Sequence, residues 1–118
     1  MNSDIGINID GSISLPDDVM TLCDEKFFNL ICNLCGDTMA ELFRVQSINT
    51  TRTLLRMNSV FSVLDLDSRE LDGLREKVRF NLDDGTTIIK PGVAKNVHCI
   101  ISLVRLKEQQ LNEKEKIL

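Results

Sequence analysis

A short phrase occurs twice in this chain. It first reads Ile7-Asn8-Ile9-Asp10-Gly11-Ser12-Ile13-Ser14-Leu15-Pro16, and later Phe80-Asn81-Leu82-Asp83-Asp84-Gly85-Thr86-Thr87-Ile88-Ile89-Lys90-Pro91. Each copy is an alternating apolar run, an Asp-Gly turn, a second apolar run and a proline. Asp-Gly between alternating hydrophobics is a strong local signal for a β-hairpin, because the turn needs residues that tolerate positive φ. Proline then stops the second strand, having no N–H to give to a ladder. The first copy therefore predicts a hairpin or an extended arm over 5–15, and the second a hairpin over 78–90 with Asp83, Asp84 and Gly85 as its three-residue turn. A two-stranded hairpin alone is marginal in water, so both need a helical body to pack on or each other to pair with.

The rest of the chain carries helical spacing. Pro16, Asp17 and Asp18 suit a helix start. Val19, Met20, Cys23, Phe27, Leu30, Ile31 and Leu34 then form one wide apolar stripe, ended by Gly36. Asp37 is read as the cap of a second helix holding Met39, Ala40, Leu42 and Phe43, running to about Ser47. Asn49 or Thr50 starts a short helix with Leu54, Leu55 and Met57, broken at Asn58 or Ser59. Val60, Phe61, Val63 and Leu64 read as a buried helical turn. Asp67 or Ser68 caps a further helix with Leu71, Leu74 and Val78 on one face. After Pro91 and Gly92, Val93, Val97, Ile100, Ile101 and Val104 line one side of a long last helix, widened by Leu103, Leu106 and Leu111. That helix is expected to fray over Asn112–Leu118, where charges dominate. The fold class is α+β, mainly α: a bundle of about five helices with one or two short hairpins. Residues 1–15 form an arm with a frayed start at Met1–Asp4, 16–112 a single helical domain and 113–118 a charged tail. Truncating a core side chain such as Leu55 or Ile100 to alanine should cost about 2–5 kcal/mol.

The stretch from about residue 34 to 110 resembles a SAM (sterile alpha motif) domain. The residues that carry the likeness are Leu42 and Phe43 ending a short helix, Ile48 opening the next segment, the Leu54-Leu55 pair, Leu66, Leu71 and Leu74, then Gly92 before the Val97, Ile100 and Leu103 stripe. The resemblance implies a SAM-like or helix-hairpin-helix-like variant with Val78–Lys90 inserted. It further implies protein binding or polymerisation, in some members RNA binding, and no catalysis.

Chemistry-bearing motifs are few. Cys32-Asn33-Leu34-Cys35 has metal or redox spacing, and His98-Cys99 could complete a zinc set. Against this, the second pair is adjacent, some sixty residues away, and Cys32 and Cys35 lie in an apolar helical run where cysteine packs as a small hydrophobe. A redox pair belongs at a helix start, where the dipole lowers the thiol pKa; this one falls near a helix end. Asp65, Asp67, Asp72 and Glu76 miss the calcium-loop pattern, with arginine at Arg69 and no glycine at the required place. His98, the single histidine, falls on the side of the last helix away from Val93, Val97 and Ile101, which predicts a solvent-exposed or rim position. No Ser-His-Asp or Cys-His arrangement supports nucleophilic catalysis. The reading is of a non-enzyme with no cofactor and no bound metal.

Charge gives the remaining signal. The net charge is −4, yet residues 1–41 hold eight acidic residues and one lysine, leaving a basic remainder. No acidic residue lies between Glu41 and Asp65, and Arg52 and Arg56 sit four apart on one helix face. Arg44, Arg52, Arg56, Lys90, Lys95 and Arg105 form the candidate partner-binding set. Their partner is an acidic protein surface, either another protein or the acidic 1–41 region of a second copy. The alternative is a nucleic acid held by Arg44, Arg52, Arg56 and the last helix, against which stand the overall acidity and the absence of Trp and Tyr. No leader or membrane-spanning run is read, which predicts an intracellular protein, cytoplasmic or nuclear, with no membrane partner.

Overall fold

The computed structural model describes residues 6–7 and 13–117. Strands β1 (Gly6–Ile7) and β2 (Ile13–Ser14) pair antiparallel, with Ile7 opposite Ile13. The first repeat is thus a hairpin rather than a single extended arm. Its Asp10-Gly11 turn, and Met1–Asp4, lie outside the described residues. Strands β3 (Arg79–Asn81) and β4 (Thr87–Ile89) make the second hairpin, with Phe80 opposite Ile88. The two hairpins form separate sheets.

Among the described residues five helices make the body: α1 (Asp24–Cys35), α2 (Asp37–Val45), α3 (Thr51–Arg56), α4 (Asp72–Val78) and α5 (Pro91–Ile117). Short 3₁₀ turns occupy Val19–Thr21, Ser62–Asp65 and Arg69–Leu71. The core is aliphatic with three phenylalanines. Phe27 stacks on Phe43 with ring centroids 6.2 Å apart and meets Phe28 edge-on at 5.7 Å. Leu30, Ile31, Leu42, Ile48, Leu54, Leu64, Leu74, Val78, Ile100 and Val104 fill the space around them. Offset or edge-on ring pairs of this kind add to the burial of their area.

The sequence implies one helix from Pro16 to Leu34, and here the structure differs. A 3₁₀ turn comes first. The chain then extends through Leu22 and Cys23, and Asp24 enters α1 at φ +51°. Contacts with a distant segment impose the break. The Asp24 N–H donates to the Asn49 carbonyl at 2.8 Å, Asn49 Nδ2 donates to the Asp24 carboxylate at 3.2 Å, and Cys23 bridges to Thr50. Cys23 is therefore exposed instead of lying on the stripe. Asp37 is the first residue of α2 and not its cap: Gly36 holds that position at φ +95°, and the Asp37 carboxylate accepts from the Cys32 thiol at 2.6 Å.

Other caps follow the sequence. The Thr50 hydroxyl accepts from the Thr53 N–H at the start of α3, and Ser68 accepts from the Glu70 N–H. The end of α2 carries a Schellman pair, with Ile48 N–H on the Phe43 carbonyl and Ser47 N–H on that of Arg44. Ser47 takes the left-handed place at φ +58°.

Helix α5 does not fray at Asn112 but continues to Ile117. Leu111 still packs against the core, Lys107 donates to Asp17 at 3.2 Å, and Glu113, Lys114, Glu115 and Lys116 are good helix formers. Leu106 falls off the buried face and is exposed, while Phe61 and Val63 are half-buried. The molecule is consequently elongated, 55 × 29 × 29 Å. Among the described residues, no helix is long and apolar enough to cross a membrane.

Candidate functional site

A cleft with an apolar floor lies where α5 passes the segment that leaves α3. Met57 is already extended, with φ −72° and ψ +134°. The Ser59 hydroxyl accepts from the Phe61 N–H at 3.2 Å and tightens the turn. Gln46 fixes the wall from behind, its amide donating to the Val60 carbonyl at 2.7 Å and to that of Leu42 at 3.1 Å. The opposite wall is α5, which presents Ala94, Val97, His98, Ile101 and Arg105 at helical spacing along one side. The volume of this open cleft is about 340 Å³. Val60 and Val97 are buried at its base, Met57, Phe61 and Ile101 are half-buried, and Asn58, Ser59, His98 and Arg105 stand exposed at the rim.

The sequence-derived basic residues divide among three places. Arg105 lines the cleft, and Lys95 is exposed on the same helix. Arg52 and Arg56 are exposed on α3, which packs on α5, and Arg56 immediately precedes the cleft wall. Among the described residues, these four cations have no ion-pair partner. Arg44 is engaged elsewhere. Its guanidinium lies 4.2 Å from the Phe28 ring centroid and donates to Glu25 at 2.8 Å, clamping α2 onto α1. That pairing holds the Glu25 carboxyl below the usual carboxylate range. Lys90 sits at the root of the second hairpin, with its ammonium 5.2 Å from the Phe80 ring centroid.

The acidic N-terminal third is likewise partly spent within the chain: Asp17 pairs with Lys107, Glu25 with Arg44 and Glu41 with Lys77. Sequence reasoning passed over four polar side chains that organise the walls and the hairpin. Arg75 donates from Nε to the Leu64 carbonyl at 2.8 Å, from Nη1 to Ser68 at 3.1 Å, and from Nη2 to the Leu66 carbonyl. Arg79 turns inward to Asp65 at 3.0 Å, leaving its Nε buried without a partner among the described residues. The buried Thr51 hydroxyl donates to the Val19 carbonyl at 2.6 Å, and Gln46 is the pin already described. The signal available for the cleft was the Asn58-Ser59 break between two apolar runs.

The cysteines do not reach this cleft. Cys32 and Cys35 are half-buried against the core. The hydrogen bond to Asp37 raises the Cys32 thiol pKa. Burial, reinforced by the neighbouring Cys99, pushes Cys35 up to about 11. Among the described residues, no three His, Cys, Asp or Glu side chains come together where they could hold a metal ion. No protein-family model, curated protein or solved structure matches the chain.

Proposed function

We propose that this chain is a non-catalytic protein-interaction module whose cleft between α5 and residues 57–61 receives an acidic segment anchored by an apolar side chain. The observation that carries the reading is the pairing of an apolar floor, built by Val60, Val97 and Ile101, with a cationic rim at Arg105. Arg52, Arg56 and Lys95, without an ion-pair partner among the described residues, stand on the two helices beside it. An apolar anchor supplies affinity, and the surrounding charges set orientation and association rate. Because Asp17, Glu25 and Glu41 already pair within the chain, the reading turns to an acidic partner other than the N-terminal third of a second copy. The resemblance to SAM domains supports the same class of function.

The test is a titration with a fluorescently labelled peptide alternating glutamate and leucine, beside an oligo-deoxythymidine strand as the nucleic-acid arm. The peptide should bind with an affinity that falls as salt rises, and Arg105→Glu or Ile101→Asp should abolish binding while Arg69→Glu does not. Stronger binding of the oligonucleotide, or peptide binding indifferent to Arg105→Glu, overturns the reading.

A further inference from the structure

The second hairpin carries apolar side chains on both faces, and only one face meets the body. Ile89 and Arg79 face inward. Phe80 and Ile88 are directly opposite one another on the other face, and Leu82 follows Phe80 at the next position of the same parity. These three are 50%, 49% and 45% exposed, half of the large exposed hydrophobics among the described residues. A hairpin packed on a core ordinarily turns polar residues to water. A contiguous apolar stripe in their place marks a contact surface.

The charges around the stripe identify what covers it. At the root stands Lys90, whose ammonium lies over the Phe80 ring on this same outer face and has no ion-pair partner among the described residues. At the tip stand Asp83 and Asp84. The tip is well formed: Gly85 N–H bonds the Leu82 carbonyl at 3.0 Å, Gly85 takes φ +88°, and the Asp84 carboxylate accepts from both the N–H and the hydroxyl of Thr86. Asp83 is exposed and has no side-chain partner among the described residues. The stripe is therefore basic at one end, acidic at the other and apolar between, which makes it complementary to itself.

We infer that the outer face of the β3–β4 hairpin is a two-fold interface for a second copy of this chain, packed tip to root, with Asp83 of each copy meeting Lys90 of the other across the Phe80–Ile88 stripe. A two-fold contact requires one patch to complement itself. The tip-to-tip alternative sets the aspartates against their own copies. The patch is small, so association is weak and concentration-dependent. This surface is separate from the cleft, and the inference stands whether or not the cleft binds peptide.

Sedimentation equilibrium of the full chain from about 10 μM to about 1 mM tests it, over the range where small interfaces assemble. The expected result is a mass rising from one chain towards two and no further. Ile88→Lys should stay monomeric throughout with an unchanged circular-dichroism spectrum. Lys90→Glu should weaken the dimer about tenfold, and the exchange Lys90→Glu with Asp83→Lys should restore it to within about threefold, as the charge pairing requires. A wild-type chain that stays monomeric overturns the inference. So does a dimer indifferent to Ile88→Lys, growth beyond two chains, or a charge exchange that fails to restore what Lys90→Glu lost.

Discussion

At the scale of single residues, the two inward-turned arginines are predicted to behave in opposite ways. Arg75 ties together three carbonyls of the 64–68 segment, so Arg75→Ala leaves several acceptors short of a donor and should cost about 2–4 kcal/mol in urea unfolding. Among the described residues, Arg79 has one exposed partner, Asp65, and a buried Nε with none. Arg79→Met should therefore be neutral or stabilise by up to about 1 kcal/mol, since an apolar side chain removes the unmet donor and leaves Asp65 in water. The Glu25–Arg44 pair gives a pH prediction. A carboxyl with a lowered folded pKa contributes stability that is present above its ordinary range and is lost as pH falls through the folded value. The difference in melting temperature between wild type and Arg44→Gln should thus be largest near neutrality and shrink below about pH 4, where carboxylates protonate. None of this was legible in the sequence. Arginine looks alike in the chain whether it faces water, a ring or a row of carbonyls, and its partners here lie up to nineteen residues away.

At the scale of elements, periodicity and turn chemistry located all five helices and both hairpins. Phe27, Leu30, Ile31, Leu42, Phe43, Leu54, Leu74, Val97, Ile100 and Val104 are buried where their spacing implied. The two larger failures share one cause, contacts far apart in sequence. Asn49 breaks the first helix at Asp24, and the docking of Leu111 and Lys107 carries the last helix past Asn112. Burial also regrades the core. Leu54→Ala and Ile100→Ala should each cost about 2–5 kcal/mol, whereas half-buried Leu55 should cost less than either and exposed Arg52→Ala almost nothing. Ser47 occupies the left-handed position of the Schellman turn, so Ser47→Gly should stabilise by about 1 kcal/mol, measured by the same urea unfolding.

For the molecule as a whole, the charge asymmetry of the sequence looked like an invitation to an outside partner, yet three acidic residues of the N-terminal third are answered from within. The Asn58-Ser59 break marks one wall of the cleft in the chain, but the pairing of the walls was not legible because they are 33 residues or more apart and meet only after α3 has docked on α5. Cysteine reactivity offers a readout of the assembled body. Cys23 and Cys99 are exposed and should be alkylated quickly at pH 8, whereas Cys35, half-buried and raised to about 11, should react last in the folded chain and without delay in urea. The junction between α1 and α2 has its own consequence. Gly36 alone separates the two helices and serves as the terminus of both, so the connection has no slack. With nothing here to take up a difference, one additional amino acid in the first turn of α2 would rotate the rest of that helix by about 100° about its axis, swinging Phe43 out from beneath Phe27, so lineages that tolerate length variation should place it anywhere but here.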